Sequence, residues 1–409
     1  TNRNYRLLLS ASSVSNLGDG VAMVALPWLA TMLTSNPLLI AAVATAQRLP
    51  WLLFALPAGV WTDRADRRLL MARADLMRMV LMAFTLLMVI SHTALPVPEG
   101  SGNAAILSLA LIAFLFGSAE VIRDNAAQTV LPSIVAHSDL ERANGQMWSA
   151  EQVTGQFIGP PIAGLLIASS VALPFGVDAS IYALSAALIW MIALPPRKST
   201  VSARFLPALL EGLGWMRRNP LILRLAIMLG AINAVFIGGM TILVLYAQEV
   251  LALSATGYGV LLTFGAMGGV AGGLLAPALA TRFGMRGSLL TALGILVVVN
   301  LLLGLFSSPA VAGLALFLEA AAGMLWNVVT VSYRQRLIPD DLLGRVNSVY
   351  RFFGWGAMPF GAMGAGALVA VLTPVIGRSD ALHAPYLLAA AVCGLLIVFA
   401  AARLRFDTA

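Results

Sequence analysis

The sequence predicts an all-α membrane protein with twelve transmembrane helices in two pseudo-symmetric six-helix bundles. Of its 409 residues, 60% are hydrophobic and only 11% are charged, and the mean hydropathy is +0.90. Globular domains carry about a quarter charged residues. Continuous apolar segments of about 20 residues recur along the chain, which favours spanning helices over the short alternating strands of a membrane β-barrel. The loops between these segments are alternately rich in arginine and free of it.

The apolar segments predict the spans in order along the chain. The expected ranges are 6–32, 37–62, 69–92, 104–131, 141–169, 174–195, 221–249, 254–281, 287–307, 309–336, 342–372 and 382–403. An even number of spans places both termini on one side. Because arginines flank both ends of the chain, we expect a multi-pass protein of the inner membrane with both termini cytoplasmic. Arg378, between spans 11 and 12, is an exception to the arginine pattern.

Charge and residue usage exclude several other classes of protein. The net charge of +7 could suit nucleic acid, but the arginines cluster in alternate loops, as membrane topology requires. The chain has no phosphate-binding G-x-x-x-x-G-K-S/T motif, so we expect no nucleotide. One cysteine and three scattered histidines predict no metal site and no cofactor. The protein is expected to be a monomer and not an enzyme. Its expected partners are the lipid bilayer, a small organic substrate and protons.

A long middle loop divides the chain into two related halves. The predicted domains are an N-terminal six-helix bundle at 1–195, a cytoplasmic linker with an amphipathic helix at 196–220, and a C-terminal six-helix bundle at 221–409. An R-x-N pattern begins at Arg142 after span 4 and again at Arg345 after span 10. Two repeated halves are the plan of a transporter that rocks about a site near the membrane midplane.

The stretch GVWTDRADRRLLM (59–71) resembles the motif between helices 2 and 3 of the major facilitator superfamily. NLGDGVAMVALPWL in span 1 and the E-V-x-x-D-x-x-A-Q-x-x-L-P run of span 4 are similar to its macrolide-efflux and enterobactin-exporter branch, the transmembrane secretion effector family. The resemblance implies the major facilitator fold and export of a drug or siderophore. The candidate gating residues that it implies are Gly59, Asp63, Arg64, Asp66, Arg67 and Arg68.

Two interpretations of this gating motif remain open. Its acids and arginines could latch the cytoplasmic side of the transporter through helix ends and ion pairs. The arginines could instead serve only as topology signals.

A second motif, FIGPPIAG (157–164) with a glycine just before it, resembles the antiporter element of helix 5. The matching residues are Gly155, Gly159, Pro160 and Gly164. Small residues let a helix approach a partner backbone closely, and proline allows a kink. Tight packing and a functional hinge are both compatible with this pattern.

Charged residues also occur within the predicted spans. Asp19 lies about 18 Å beyond Leu7 at about 1.5 Å per residue. A charge at such depth costs about 2.5–3.5 kcal/mol, so it needs a partner or a wet cavity. The candidate proton-coupling residues are Asp19, Glu120, Asp124, Arg123, Arg48 and Glu151.

These charges have two interpretations. Asp19 with Arg48 and Glu120 with Arg123 could form static ion pairs that only tie helices together. Alternatively, Glu120, Arg123 and Asp124 share one side of span 4 and form a site where protons and cargo exchange.

The family resemblance implies that spans 1, 4, 7 and 10 line a central cavity. The candidate cavity residues are Asn16, Met23, Asn233, Phe236, Met240, Glu319, Trp326 and Asn327. Amide, aromatic and thioether groups around a few charges suit an amphipathic organic cargo.

The expected function is secondary active export, by proton-coupled antiport of drug-like or siderophore-like organic molecules across the inner membrane. One alternative is a lipid or lysolipid flippase on the same fold. The other is a non-transporting membrane sensor or scaffold. Transport assays with lipid and with soluble cargo distinguish these possibilities.

Overall fold

The computed structural model describes residues 3–92, 95–98, 102–136, 139–193 and 205–404. The side chains of 55–64, 141, 205–206, 208–209, 340–341 and 343–344 fall outside that description. The regular structure in the described ranges is helical throughout.

The first half of the chain forms six membrane-crossing segments. They are α1 (Arg3–Leu33), α2 (Pro37–Arg64), α3 (Arg67–Ser91), α4 (Asn103–Ile134), α5 (Leu140–Ala150) continuing through a π-helical segment (Glu151–Ile158) into α6 (Gly159–Ser169), and α7 (Leu173–Trp190).

The second half repeats this plan after a short helix. Its elements are α8 (Phe205–Arg218), α9 (Pro220–Leu245) with a terminal π-helical segment (Tyr246–Val250), α10 (Ala255–Leu305), α11 (Pro309–Leu337), α12 (Asp340–Gly356), α13 (Met358–Ile376) and α14 (Arg378–Arg403).

Twelve crossings follow from these elements. Ten helices in the described residues are long and apolar enough to span a membrane. One of them, α10, breaks at Gly284, where φ is +66°, and so makes two crossings. Glycine suits this position because other residues rarely adopt positive φ. The π-interrupted segment from α5 to α6 makes the remaining crossing. The predicted twelve-helix fold is confirmed, and the break at Gly284 falls between predicted spans 8 and 9.

The chain divides into two compact units. One contains residues 1–202 and 254–263, and the other contains residues 203–253 and 264–409. The short helix α8 belongs to the second unit. There Glu211 pairs with Arg345 of α12 at 2.7 Å, so the described part of the predicted linker is docked onto a helix of that unit.

In the first unit, α1 and the segment from α5 to α6 approach each other through glycines. A Cβ added at Gly159 would lie 2.6 Å from Gly20 Cα, and one added at Gly20 would overlap the carbonyl oxygen of Gly155. Close backbone approach through small residues is a common way for helices to pack in lipid. Because Gly20 follows Asp19 directly, this contact also fixes the position of Asp19 along α1.

In the second unit, α9 is held by hydrogen bonds to two helices and by close packing against a third. Asn233 Nδ2 donates to Gly354 O at 2.9 Å, and Tyr386 Oη of α14 donates to Gly239 O at 3.1 Å. Close packing of α13 against α9 places Gly361 directly against the carbonyl of Ala234. In lipid, side-chain hydrogen bonds and close backbone packing replace much of the hydrophobic driving force between helices.

The structure also explains why Arg378 departs from the arginine pattern. Its Nε and Nη2 atoms lie 2.9 Å from the two carboxylate oxygens of Glu249, which is a bidentate ion pair. Such paired geometry strengthens a charge-assisted hydrogen bond. Arg378 is therefore compensated by its own acid.

The glycine contact predicts a clear difference between two identical substitutions. Gly20→Ala should lower the free energy of unfolding by about 1–3 kcal/mol, because the new methyl group cannot fit without backbone movement. Gly294→Ala is the control, since a Cβ there meets nothing within 4 Å and alanine favours a helix by about 0.5–1 kcal/mol. Thermal unfolding of the purified variants measures both effects. Equal unfolding temperatures for the two variants would show that the glycine contact does not constrain the fold.

Candidate functional site

A buried arginine on α3 forms the centre of a charge network in the first unit. The Arg78 side chain is fully buried, and its Nη1 lies 2.8 Å from Asp19 Oδ1 and 3.1 Å from Ser15 Oγ. Its Cζ also lies 5.4 Å from the ring centroid of Phe116 and 5.0 Å from that of Tyr182. An acid and two aromatic faces thus share the cost of burying this cation.

A second arginine, on α4, extends the network. Arg123 Nε lies 3.5 Å from Asp75 Oδ1, and its Nη1 lies 3.7 Å from Asp124 Oδ1. Its Nη2 donates to Ser12 Oγ at 3.3 Å. Ser12, Ser15 and Asp19 of α1 therefore face two arginines from neighbouring helices.

Asp75 of α3 connects the two arginines. Its Oδ1 lies 3.5 Å from Arg123 Nε and 3.9 Å from Arg78 Nη1, and the carboxylate is fully buried. Its Oδ2 accepts a hydrogen bond from Ser185 Oγ of α7 at 2.6 Å. A single buried acid thus contacts groups on α3, α4 and α7.

Asp178 of α7 is the least compensated acid in this region. Its side chain is 1% exposed, and neither oxygen has a hydrogen-bond partner among the described residues. An added Cβ at Gly18 would lie 2.6 Å from Asp178 Oδ1, so the carboxylate rests against α1 beside Asp19. The nearby Arg78 also retains two buried nitrogens, Nε and Nη2, without a hydrogen-bond partner.

Two other acids of the network are partly open to their surroundings. The side chain of Asp19 is 27% exposed and that of Asp124 is 34% exposed. Tyr182 Oη donates to Asp19 Oδ1 at 2.8 Å. The network therefore has a buried part on α3 and two partly exposed carboxylates on α1 and α4.

The structure brings most of the predicted coupling residues together but pairs them differently. Neither expected ion pair, Asp19 with Arg48 or Glu120 with Arg123, forms among the described residues. Asp19 pairs with Arg78, and Arg123 pairs with Asp75 and Asp124. The reason is that α3 inserts its own buried charges between α1, α4 and α7.

The remaining predicted coupling residues lie around this network. The charged groups that act on Glu120 are Asp19, Asp124, Arg48 and Arg78. Glu151 begins the π-helical segment and is exposed. Its charge interacts with Asp124, Asp19 and Arg123.

Sequence reasoning missed four members of the network, namely Asp75, Arg78, Asp178 and Tyr182. A signal was present for the three charged residues. Asp75 and Arg78 lie three residues apart inside predicted span 3, and Asp178 lies inside predicted span 6. Charges within a span are costly and usually have a partner or a function, so their depth alone marks them as candidates.

The described part of the gating motif ties the start of α3 to neighbouring helices. Asp66 caps α3 by accepting from Leu69 N at 3.2 Å. Arg67 Nη1 donates to Thr129 O of α4 at 2.6 Å, and Arg68 Nη1 donates to Ile192 O after α7 at 3.2 Å. These arginines do more than mark topology, because they satisfy backbone carbonyls near helix ends.

Three other gating residues, Gly59, Asp63 and Arg64, have side chains outside the described residues. The proposed latch therefore stays a prediction.

The helix-5 motif has two contact regions within the first unit. Gly155 and Gly159 meet α1, as described above. Pro160 and Gly164 lie against the first turns of α10, where Thr256 Oγ1 donates to Gly164 O at 3.3 Å. An added Cβ at Gly259 would overlap the carbonyl oxygen of Pro160. The motif thus allows close backbone packing on two sides.

Three of the predicted cavity residues meet in the second unit. Phe236, Met240 and Glu319 line one crevice together with Tyr386. Glu319 is 8% exposed, and its carboxylate has no hydrogen bond or ion pair among the described residues. The crevice therefore places one buried acid against aromatic and thioether groups.

The other predicted cavity residues are differently placed. Trp326 is buried within the bundle, and its neighbour Asn327 is exposed. Asn233 is engaged with the carbonyl of Gly354. Asn16 and Met23 are half-buried on α1.

Comparison with known proteins identifies the family. The family model described as transmembrane secretion effector matches residues 1–407. The multidrug efflux pump Tap of Mycolicibacterium fortuitum is 27% identical over 376 residues, which cover 88% of each chain. The solved structure of the nucleoside transporter NupG is 13% identical with a TM-score of 0.78, covering 98% of this chain and 100% of that chain.

A bacterial homologue of the human lysosomal transporter Spinster is 14% identical, with a TM-score of 0.75 and coverage of 99% of this chain and 98% of that chain. At these identities the structures establish the fold, while the family model establishes the lineage. The chain belongs to the transmembrane secretion effector family of the major facilitator superfamily, and it is a membrane transporter rather than an enzyme.

Proposed function

We propose that this protein is a secondary active exporter that exchanges protons for small drug-like or siderophore-like organic molecules. The observation that carries the proposal is the excess of acids in the charge network of the first unit. Six carboxyl groups act there on three guanidinium groups. The acids are Asp19, Asp75, Glu120, Asp124, Glu151 and Asp178, and the bases are Arg48, Arg78 and Arg123.

Because the carboxyl groups outnumber the guanidinium groups, additional positive charge is needed to neutralise them. An uncompensated carboxylate in a low-dielectric interior is costly and tends to become neutral or to acquire a cationic partner. Bound protons or a cationic cargo would supply that compensation, and each would compete with the other. The similarity to the multidrug efflux pump Tap supports export of drug-like cargo.

The network is poorly suited to a purely static role. A set of charges that only tied helices together would gain stability by pairing every buried polar atom. Here Asp178, Arg78 and Arg123 each keep buried atoms without a hydrogen-bond partner. Asp19 and Asp124 also remain partly exposed, which supports a role in binding protons or cargo.

Arg78 has two potential ion-pair partners, Asp19 and Asp178. It now pairs with Asp19 through Nη1, while its Nε and Nη2 and both oxygens of the nearby Asp178 lack partners. When Asp19 binds a proton or a cationic group, its ion pair with Arg78 weakens. Arg78 would then turn toward Asp178, and this change of partner would shift α1 relative to α3 and α7.

The crevice around Glu319 is closed in this structure and has no room for a water molecule. In a more open state it would contact the organic part of the cargo. Glu319 lies beside Phe236 and Met240 in one crevice. A carboxylate flanked by an aromatic face and a polarisable thioether favours an organic cation over a neutral molecule of the same size. We therefore expect lipophilic cations among the preferred substrates.

The orientation follows from the arginines. The clustered arginines of the alternate loops support cytoplasmic termini and residence in the inner membrane, and the pairing of Arg378 with Glu249 removes the main exception. A reporter fused after Ala409 that reads as periplasmic would overturn this orientation.

Proteoliposomes with an imposed pH gradient test the proposed function. The parent protein should accumulate a labelled cation against its gradient, and Asp19→Asn should exchange cargo downhill without concentrating it. The reason is that the variant keeps the binding surface but loses the carboxylate that protons and cargo share. Asp380→Asn, an exposed acid at the start of α14, is the control and should keep uphill transport.

Other outcomes of this assay would count against the proposal. Flux of a labelled lysolipid in place of soluble cargo would favour the flippase alternative. Absence of flux for every cargo tested would favour a sensor or scaffold. Full uphill transport by Asp19→Asn would remove this residue from the coupling site.

Cargo selectivity should depend on the acid of the second unit. Glu319→Gln should weaken transport of a lipophilic cation by about ten-fold while leaving a neutral analogue of similar size nearly unchanged, because only the charge is lost. The ratio of kcat/KM for the two cargoes measures this effect. An equal loss for both cargoes would indicate that Glu319 serves packing alone.

The partner change of Arg78 predicts a kinetic effect at Asp178. Asp178→Asn should keep the unfolding temperature, since neither oxygen makes a hydrogen bond that could be lost. It should slow the maximal transport rate several-fold with little change in KM, because the second partner is weakened. Asp75→Asn is the contrasting variant. It disturbs a paired acid and should lower the unfolding temperature. An unchanged rate in Asp178→Asn would contradict the partner change.

A further inference from the structure

A basic cavity opens at one end of the second unit, away from the crevice around Glu319. It has a volume of about 520 Å³ and is lined by three arginines, Arg218, Arg224 and Arg403. This volume lies within the range of about 300–1,000 Å³ that is typical of ligand pockets. The arginines come from three different helical segments, because Arg218 ends α8, Arg224 lies in α9 and Arg403 ends α14.

Two of these arginines, Arg218 and Arg403, have no hydrogen-bond or ion-pair partner for their guanidinium groups among the described residues. Arg224 Nη1 donates to Arg403 O at 2.7 Å, which satisfies a carbonyl at the end of α14. No described aspartate or glutamate lines the cavity either. The cavity thus presents positive charge that the described chain does not neutralise.

Nearby arginines show that partners are available elsewhere in this unit. Arg345 is paired with Glu211 at 2.7 Å, and Arg286 Nη2 donates to Ala401 O at 2.6 Å. Asn219, the residue before α9, also lines the cavity. Its Nδ2 donates to Trp215 O at 2.9 Å, so the anion-binding groups of the cavity are the arginine side chains.

The remaining lining groups make the cavity amphiphilic. Leu221 and Leu337 lie on its wall together with Tyr333, and Leu337 is 41% exposed. The apolar helix α9 begins within the cavity, at Pro220. The cavity therefore joins unneutralised positive charge to apolar surface.

We propose that this cavity binds the phosphate group of an anionic phospholipid, with Arg218 and Arg403 as its main contacts. Arginine recognises phosphate through paired hydrogen bonds, and basic pockets at helix ends in membranes bind anionic headgroups. A soluble phosphate would use the arginines alone, whereas a phospholipid would also use the apolar wall formed by Leu221 and the exposed Leu337. This site is independent of the proposed transport function.

Native mass spectrometry of the purified full-length protein in detergent tests the site. The probes are phosphatidylglycerol, phosphatidylcholine of the same acyl chains, and inorganic phosphate. The parent protein should prefer phosphatidylglycerol, and the double variant Arg218→Gln/Arg403→Gln should lose about 25-fold of that preference, at about five-fold for each arginine.

A matched double variant controls for net charge. Arg282→Gln/Arg336→Gln removes two exposed arginines of α10 and α11 that do not line the cavity. It should keep the parent preference to within about two-fold. An equal loss in both double variants, or no preference in the parent, would show that the lipid senses only the overall basic surface.

The measurement with inorganic phosphate distinguishes a site for soluble phosphate from a site for a phospholipid headgroup. Inorganic phosphate should bind the parent weakly and should compete poorly with phosphatidylglycerol. If it binds as tightly as the lipid and depends on Arg218 and Arg403, the cavity is a site for soluble phosphate and the lipid proposal is overturned.

Discussion

The buried guanidinium of Arg78 is the interaction on which the first unit depends. A full positive charge in a membrane protein interior requires compensation from several sides, and here α1 supplies Asp19 and Ser15 while α4 and α7 supply the rings of Phe116 and Tyr182. Four helices must therefore keep their positions around a single side chain. The same requirement turns any change of charge at Asp19 into a change in helix packing.

The glycine contact between α1 and the segment from α5 to α6 complements this electrostatic constraint. Gly20 meets Gly155 and Gly159 through backbone atoms alone, so α1 has no side chain there that could adapt to a shift. The π-helical segment Glu151–Ile158 lies at this contact. Such segments are rare and often occur at functional sites. Asp19 is thus held on one side by charge and on the other by close packing.

Much of the fold could be predicted from the sequence, because hydropathy and arginine asymmetry act locally and need no knowledge of partners. The break at Gly284 and the close packing of the helix-5 glycines follow from the same local chemistry. Pairing could not be predicted in this way. Asp19 and Arg78 are distant in sequence, and neither helix has a sequence pattern that indicates which face of α1 contacts which face of α3. Asp75 and Arg78 lie inside predicted span 3, but the sequence does not indicate which charges of spans 1 and 4 they meet.

The energetic cost of burying these charges indicates that the network has a functional role. Removing two charges from water costs several kcal/mol per ion, and a well-packed apolar substitute is often as stable or more stable than a buried ion pair. The first unit nevertheless keeps Asp75, Arg78 and Arg123 buried, and it leaves Asp178 without a hydrogen-bond partner among the described residues. Stability alone gives no reason for Asp178 to be ionisable, because asparagine or leucine would fill the space beside Gly18 at lower cost. Asp178 becomes useful as a partner for Arg78 only when the charge of Asp19 changes. Exchange of a proton for a cation at Asp19 would change that charge.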